Sequence, residues 1–296
     1  MVMTSWEIAQ LIMCTLHYVG VASVVGGIFS FYLLNQCAFL HSAIKKYMVI
    51  GALLGGGASL AYFLILVGGV MESIVSIFDA DMLSIFWYSA AGDILVLNLF
   101  GYGLILLSMT IIGFKNGGEI TSLTYAGLIL ALLGGASLLY SFSLTGHSVE
   151  QSNFYKLVFS IHIFIAAWWL GQLFPLWLVA KHTDYQTSYT ILDEFGKWAS
   201  VSVAVLILCG LWMSYVLTGW QLILTSDYLF WLLVKVGFVA LILTIAAYHK
   251  IYLVPAMLKN KNGHAIQKSI LLEKVVAYFI LMVTAYLTSF LGPPNH

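Results

Sequence analysis

Residues 17–29 read His-Tyr-Val-Gly-Val-Ala-Ser-Val-Val-Gly-Gly-Ile-Phe, and residues 162–174 read His-Ile-Phe-Ile-Ala-Ala-Trp-Trp-Leu-Gly-Gln-Leu-Phe. Both follow the pattern H-x8-G-x2-F, and neither contains Asp, Glu, Lys or Arg. Each lies inside a longer apolar segment, and about 20 consecutive apolar residues are enough for a helix to cross a bilayer. The sequence therefore predicts a bundle of membrane-spanning helices in which one histidine-bearing span occurs twice.

The composition of the whole chain is that of a membrane protein. Of its 296 residues 61% are hydrophobic and only 8% are charged, whereas a soluble domain carries about 25% charged residues. The net charge is zero and all twelve basic residues are lysine, which excludes a basic surface for nucleic acid. The expected partner is the lipid bilayer, and we expect no nucleic-acid partner.

Eight segments are long and apolar enough to span a membrane, and their connections are too short to hold a soluble domain. We predict an all-α membrane protein with a single transmembrane domain over residues 1–296. The predicted spans are Ser5–Leu34, Ile44–Met71, Leu83–Phe114, Thr121–Gly146, Phe154–Ala180, Phe195–Thr218, Tyr228–Val254 and Ile270–Leu291.

The lysines predict how the spans are oriented. Nine of the twelve flank alternate connections, those after spans one, three, five and seven. Loops rich in Lys face the cytoplasm, so both termini are predicted to lie outside. These nine are Lys45, Lys46, Lys115, Lys181, Lys197, Lys250, Lys259, Lys261 and Lys268.

Two matches suggest an internal duplication. The histidine motifs recur at an offset of 145 residues, and the pattern Y-x2-S-x2-G at residues 140–146 recurs at 286–292, an offset of 146. We predict pseudo-repeats 1–148 and 149–296, each with four spans. An even number of spans gives both repeats the same orientation, so they would be related by an axis along the membrane normal.

His17 and His162 are the leading candidates for a metal site. Both fall in the outer half of the predicted bilayer, where an ionisable residue is a functional hypothesis. Imidazole binds copper, zinc and haem iron, and we expect the two rings to face each other across the axis, beside a path between the two halves. Met13 lies one helical turn before His17, and its thioether suits Cu(I). The alternative is that both histidines only pack and form hydrogen bonds.

The connection between spans four and five carries His147 and Glu150. On the outer face, these side chains are predicted to capture a cation before it enters the membrane; the alternative is a solvated turn.

Charged residues at membrane depth also suggest a structural pair. Asp93 in span three and Lys235 in span seven lie at matching depths, and a buried ion pair is predicted because neither charge is tolerated alone in hydrocarbon. Glu273 and Lys274 lie near the lysine-rich end of span eight, where snorkelling explains them. His249, near the end of span seven, is either an exit-side ligand or a solvated histidine.

Several stretches resemble the copper-resistance D (CopD) family of bacterial inner-membrane proteins. They are A-W-W-L-G-x2-F-P-L at residues 167–176, T-G-H at 145–147, Y-H-K-I-Y-L-V-P at 248–255, Ser269 with Glu273, and G-P-P at 292–294. The resemblance implies eight spans, copper handling at the periplasmic face and inward delivery, often with a small periplasmic copper-binding partner (CopC). It places the copper function on His17, His147 and His162.

His17 in the first span also resembles a first-span histidine of the four-span HemJ-like proteins, which handle haem. The two hypotheses are therefore a copper-transporting inner-membrane protein that is not an enzyme, and a membrane redox protein holding a His-ligated haem b.

Overall fold

A computed structural model of the chain describes residues 3–112, 122–145, 151–218 and 226–291. These ranges contain helices and connecting turns but no strand. Eight helical stretches in them are long and apolar enough to cross a membrane, which confirms the predicted all-α architecture with eight spans. In chain order the helices are α1 (Ser5–Leu33), α2 (His41–Val70), α3 (Ala80–Trp87), α4 (Ala90–Ile111), α5 (Ser122–Ser141), α6 (Asn153–His182), α7 (Tyr185–Thr218), α8 (Asp227–Tyr248), α9 (Val254–Asn260) and α10 (His264–Phe290).

The third span begins later than predicted. The chain forms the short α3 and breaks before Ser89, whose backbone is extended and whose hydroxyl accepts a hydrogen bond from the Ala91 N–H. A side chain at Gly92 would overlap the Trp87 carbonyl oxygen, so a glycine lets α4 start this close to α3. Hydropathy alone does not register this break because the residues on both sides of it are apolar.

The sixth span is ten residues longer than predicted. The Asp184 carboxylate accepts hydrogen bonds from the backbone N–H groups of Gln186 and Thr187 and from the Thr187 hydroxyl. This cap starts α7 at Tyr185, well before the apolar run, because a side-chain oxygen satisfies the first free N–H groups of the helix. The same hydrogen bonds hold the pKa of the Asp184 carboxyl below its ordinary value.

The seventh span changes its helical geometry near its lysine-rich end. After α8 the chain winds as a π-helix over His249–Leu253 and then continues as α9. Pro255 lies in the first turn of α9, where the missing N–H of proline costs little. π-helical turns inside longer helices are uncommon and are frequent at functional sites.

Helices α1 and α6 cross at two glycines that occupy equivalent positions in the predicted repeats. A Cβ on Gly171 would overlap the Ala22 carbonyl, and one on Gly26 would overlap the Gly171 backbone. Gln172 Nε2 donates to the Gly26 carbonyl at 2.9 Å and Ser30 Oγ donates to Gln172 Oε1 at 3.1 Å. The crossing is therefore closed, and it leaves no room there for the expected path between the halves. The duplication itself stays a prediction. The contact between the two matched glycines agrees with it.

The two halves pack differently. In the first half α2 packs on both α1 and α4, whereas in the second half α7 packs on α6 but hardly touches α8, which lies against α10. This looser packing leaves a cavity of about 240 Å³ between α6, α7, the π-helical turn and α10. The cavity lies towards the lysine-rich ends of these helices.

Candidate functional site

His17 lies buried in α1 with its ring directed into the first four-helix bundle. Its Nδ1 is 2.8 Å from Ser59 Oγ on α2 and 3.2 Å from the Tyr102 hydroxyl on α4. The rings of Tyr18 and Phe142 lie about 6 Å from the imidazole, with centroid separations of 6.0 and 5.7 Å. Aromatic rings and two hydroxyls therefore fix the orientation of this histidine.

The hydrogen bonds around His17 are compatible with a proton on Nδ1. The Ser59 hydroxyl lies 2.9 Å from the Gly55 carbonyl and the Tyr102 hydroxyl lies 3.3 Å from the His17 carbonyl. When the hydroxyl protons are donated to these carbonyls, both hydroxyls accept from Nδ1–H. Within the described ranges no hydrogen bond engages Nε2, so its lone pair is available.

His162 has the same arrangement with a simpler partner. Its Nδ1 is 3.3 Å from the Leu206 carbonyl on α7, and a carbonyl only accepts, so Nδ1 carries the proton. Gly210, one turn further along α7, lies beneath the ring, since a Cβ there would be 3.4 Å from His162 Cε1. Nε2 is again the nitrogen with an available lone pair.

The two imidazoles do not face each other as expected. His17 precedes Gly26 by nine residues, and His162 precedes Gly171 by nine. Nine steps of 100° leave a residue on the opposite side of a helix. The glycines meet at the α1–α6 crossing, so each histidine points away from it into its own bundle, towards α2 and α4 or towards α7. The site is two separate imidazoles, not one bridged pair.

The remaining predicted ligands divide into two groups. Met13 is half-buried in α1, one turn before His17, so it stays a predicted ligand of that histidine. His147 and Glu150 lie outside the described residues, and their capture role also stays a prediction.

The predicted ion pair between Asp93 and Lys235 is not formed. Asp93 is exposed in the first turn of α4, and Lys235 is half-buried in α8. Helix α4 packs on α2 and α5 while α8 packs on α10, so matching depth does not bring the two side chains together.

A polar cluster at the opposite end of the second bundle was not predicted as a site. His249 Nε2 lies 2.6 Å from Ser269 Oγ, and its Nδ1 lies 3.2 Å from Glu273 Oε2. Glu273 is only 2% exposed, so its side chain does not snorkel to water. The sequence signal was the spacing of Ser269 and Glu273, which places them on one face of α10, one turn apart.

No group of three or more His, Cys, Asp and Glu side chains forms a ready metal site within the described ranges. A metal ion on either outer histidine would therefore take its other ligands from thioethers, hydroxyls, water or residues outside those ranges.

Residues 189–287 match the family described as copper resistance protein D (CopD). No curated protein and no solved structure matches the chain. The match runs from α7 into α10 and includes Lys235, His249 and Glu273, while His17 and His162 precede it. Over this third of the chain the sequence is similar to the CopD family, and the eight apolar helices are those of a multi-pass membrane protein.

Proposed function

We propose that this protein binds copper inside the membrane through His17 and His162 and transports it across the bilayer, without catalysing a reaction. The observation that carries the proposal is the hydrogen-bonding pattern of both rings, in which Nδ1 is engaged and no hydrogen bond within the described ranges engages Nε2. A metal-bound imidazole needs this arrangement, because its second nitrogen is normally anchored by a hydrogen bond.

Several features support copper over a purely structural role. Imidazole is a ligand that copper accepts, and the thioether of Met13 suits Cu(I). An ionisable ring buried in a membrane bundle is costly unless it has a use. His17 and His162 each lie in their own half, so the proposal is two separate binding positions and not a single shared ion.

The direction of transport follows from the predicted orientation and from the family resemblance. In a bacterial inner membrane, copper would be captured on the periplasmic side by His147 and Glu150 and then held by His17 and His162 on its way to the cytoplasm. A small CopC-like protein would deliver it. The lysine distribution supports this orientation.

Haem b is the second candidate, and the same observation favours it. An imidazole with Nδ1–H anchored and Nε2 available is also what haem iron requires. An absorption spectrum of the purified protein separates the two, since a Soret band indicates haem, whereas a colourless protein with bound copper indicates the first proposal.

The test is the copper content of the double variant His17→Ala/His162→Ala, purified in lipid nanodiscs. We expect it to lose the copper held in the outer half of the membrane and to abolish copper-dependent accumulation in cells. His264→Ala is the matched control, because His264 is exposed at the start of α10. A double variant that keeps the wild-type copper content would contradict the assignment.

A further inference from the structure

The cluster of His249, Ser269 and Glu273 borders the cavity of the second bundle. His249 and Glu273 line the cavity, whereas Ser269 does not. Ser269 is hydrogen-bonded to one nitrogen of the ring and Glu273 contacts the other. The order of serine, histidine and carboxylate is that of a hydrolase triad, but a molecule in the cavity does not reach the serine. Ser269 therefore anchors the ring, and His249 and Glu273 are the two groups that face the cavity and can bind a ligand there.

An ionised Glu273 carboxylate needs a positive charge beside it, either a proton on His249 or a metal ion. It is buried at 2% exposure, and an ionised carboxylate in a low-dielectric interior is costly unless it is paired. The lysines next to His249 and Glu273 in the sequence are engaged elsewhere. Lys250 Nζ donates to Ser200 Oγ at 2.6 Å and to the Gly196 carbonyl at 3.3 Å, and Lys274 lies over the rings of Phe174 and Trp177.

The separation of the two groups fits a shared cation. The distance from His249 Nδ1 to Glu273 Oε2 is 3.2 Å. Two ligands with bonds of about 2.0–2.1 Å stand about this far apart when they subtend about 100° at a metal ion. If Nε2–H donates to Ser269, then Nδ1 and the carboxylate oxygen both present lone pairs towards the same point. The π-helical turn that begins at His249 is what aims the ring at α10.

An ion can enter the cavity, and the cavity extends towards His162. Trp169 lines the cavity and follows His162 by seven residues on the same face of α6, which is about 10 Å along the helix. Val203 also lines it, and it lies three residues from Leu206, the partner of His162 on α7. The cavity therefore begins about two turns below His162 and ends at His249.

We propose that His249 and Glu273 form a second copper-binding site at the predicted cytoplasmic end, reached from His162 through the second four-helix bundle. This inference rests on the proposed copper transport and extends it with an exit site and a route. The ligands are one imidazole nitrogen and one carboxylate oxygen, with Ser269 holding the ring. Nitrogen and oxygen donors favour Cu(II) over Cu(I), which prefers sulfur, so the appropriate probe is Cu²⁺.

The experiment measures Cu²⁺ bound per protein in nanodiscs, starting from the His17→Ala/His162→Ala background so that the two membrane histidines are silent. His249→Gln and Glu273→Gln are added singly to that background. Both substitutions keep a polar side chain in the buried cluster, which protects folding. The matched controls are His264→Ala and Glu194→Gln, which change the same residue types at exposed positions on the same side. Ser269→Ala tests the anchor.

Relative to the background protein, we expect His249→Gln and Glu273→Gln each to bind about one Cu²⁺ less, while both controls bind as much as the background. Ser269→Ala should weaken Cu²⁺ binding about 10- to 100-fold, as removal of an anchoring partner does. If both cluster variants keep the ion, the pair is a hydrogen bond only and the inference is wrong, although the outer assignment stands. If wild-type protein binds no copper, the proposed function fails and this inference fails with it.

Discussion

At His17 the proton position follows from where two hydroxyl protons go. When Ser59 donates to the Gly55 carbonyl and Tyr102 donates to the His17 carbonyl, both hydroxyls accept from the ring. A hydroxyl that still had its proton free could donate to Nδ1 and move the ring proton to Nε2, where it would block a metal. Helix geometry thus sets the tautomer of a residue on a different helix.

Ser59 is therefore predicted to be a positioning residue for copper. Ser59→Ala should weaken copper binding at His17 about 10- to 100-fold, because the ring loses its shorter anchor. Ser59→Thr keeps a hydroxyl and should restore most of the affinity, a rescue that a general packing defect would not show. The measurement is a competition titration against a chelator of known affinity.

Ser42→Ala is the control, since Ser42 is exposed near the start of α2. Wild-type affinity in Ser59→Ala protein would show that the tautomer of His17 does not depend on this hydroxyl.

Sequence reasoning located His17 and His162 but not their partners. Depth within a span follows from counting residues, and both histidines lie in the expected segments. Ser59 and Tyr102 lie 42 and 85 residues away from His17 in the chain, and only the packing of α1, α2 and α4 brings them together. The Asp93–Lys235 pair was wrong for the same reason, since equal depth says nothing about which helices are neighbours.

At the scale of helices, apolar windows predicted the spans well and their ends less well. The windows report the hydrocarbon-facing part of a helix, whereas the ends depend on capping. The Asp184 cap extends α7 into a polar segment, and the extended Ser89 separates α3 from α4 within an apolar one. The π-helical turn at His249 has no hydropathy signal at all, because it changes hydrogen-bond spacing without changing composition.

The α1–α6 crossing gives an element-scale prediction. Gly171→Ala should lower the free energy of unfolding by at least about 1–3 kcal/mol, because its methyl group would overlap the Ala22 carbonyl and force two backbones apart. Gly237→Ala in α8 is the matched control, with no atom within 4 Å of the added methyl group. It should be neutral or stabilising by about 0.5–1 kcal/mol.

Thermal melting of both variants in the same detergent measures the difference. Equal melting temperatures for Gly171→Ala and wild-type protein would mean that the two halves do not meet at this glycine.

At the scale of the whole molecule, the two halves differ in what they leave open. The first half is closely packed around His17, and the crossing to the second half is sealed by glycines and by the Gln172 hydrogen bonds. The second half is open between α7 and α8 and holds a cavity below His162. His17 and His162 occupy similar positions in the two halves, but only His162 has a cavity below it. This difference favours a copper route through the second half.

The orientation of this route depends on the lysine distribution, which predicts both termini outside. Single cysteines test it at two exposed positions, Ile74 in the α2–α3 connection, at 70% exposure, and Ala265 at the start of α10. With a membrane-impermeant maleimide on intact cells, Ile74→Cys should be labelled, and Ala265→Cys only after permeabilisation. Wild-type protein gives the background, since Cys37 and Cys209 are buried and Cys14 is half-buried. The reverse labelling pattern would place His17 and His162 in the cytoplasmic half and His249 in the outer half. Copper captured at His17 and His162 would then come from the cytoplasm and leave at His249 and Glu273, so the proposed import would become export through the same cavity.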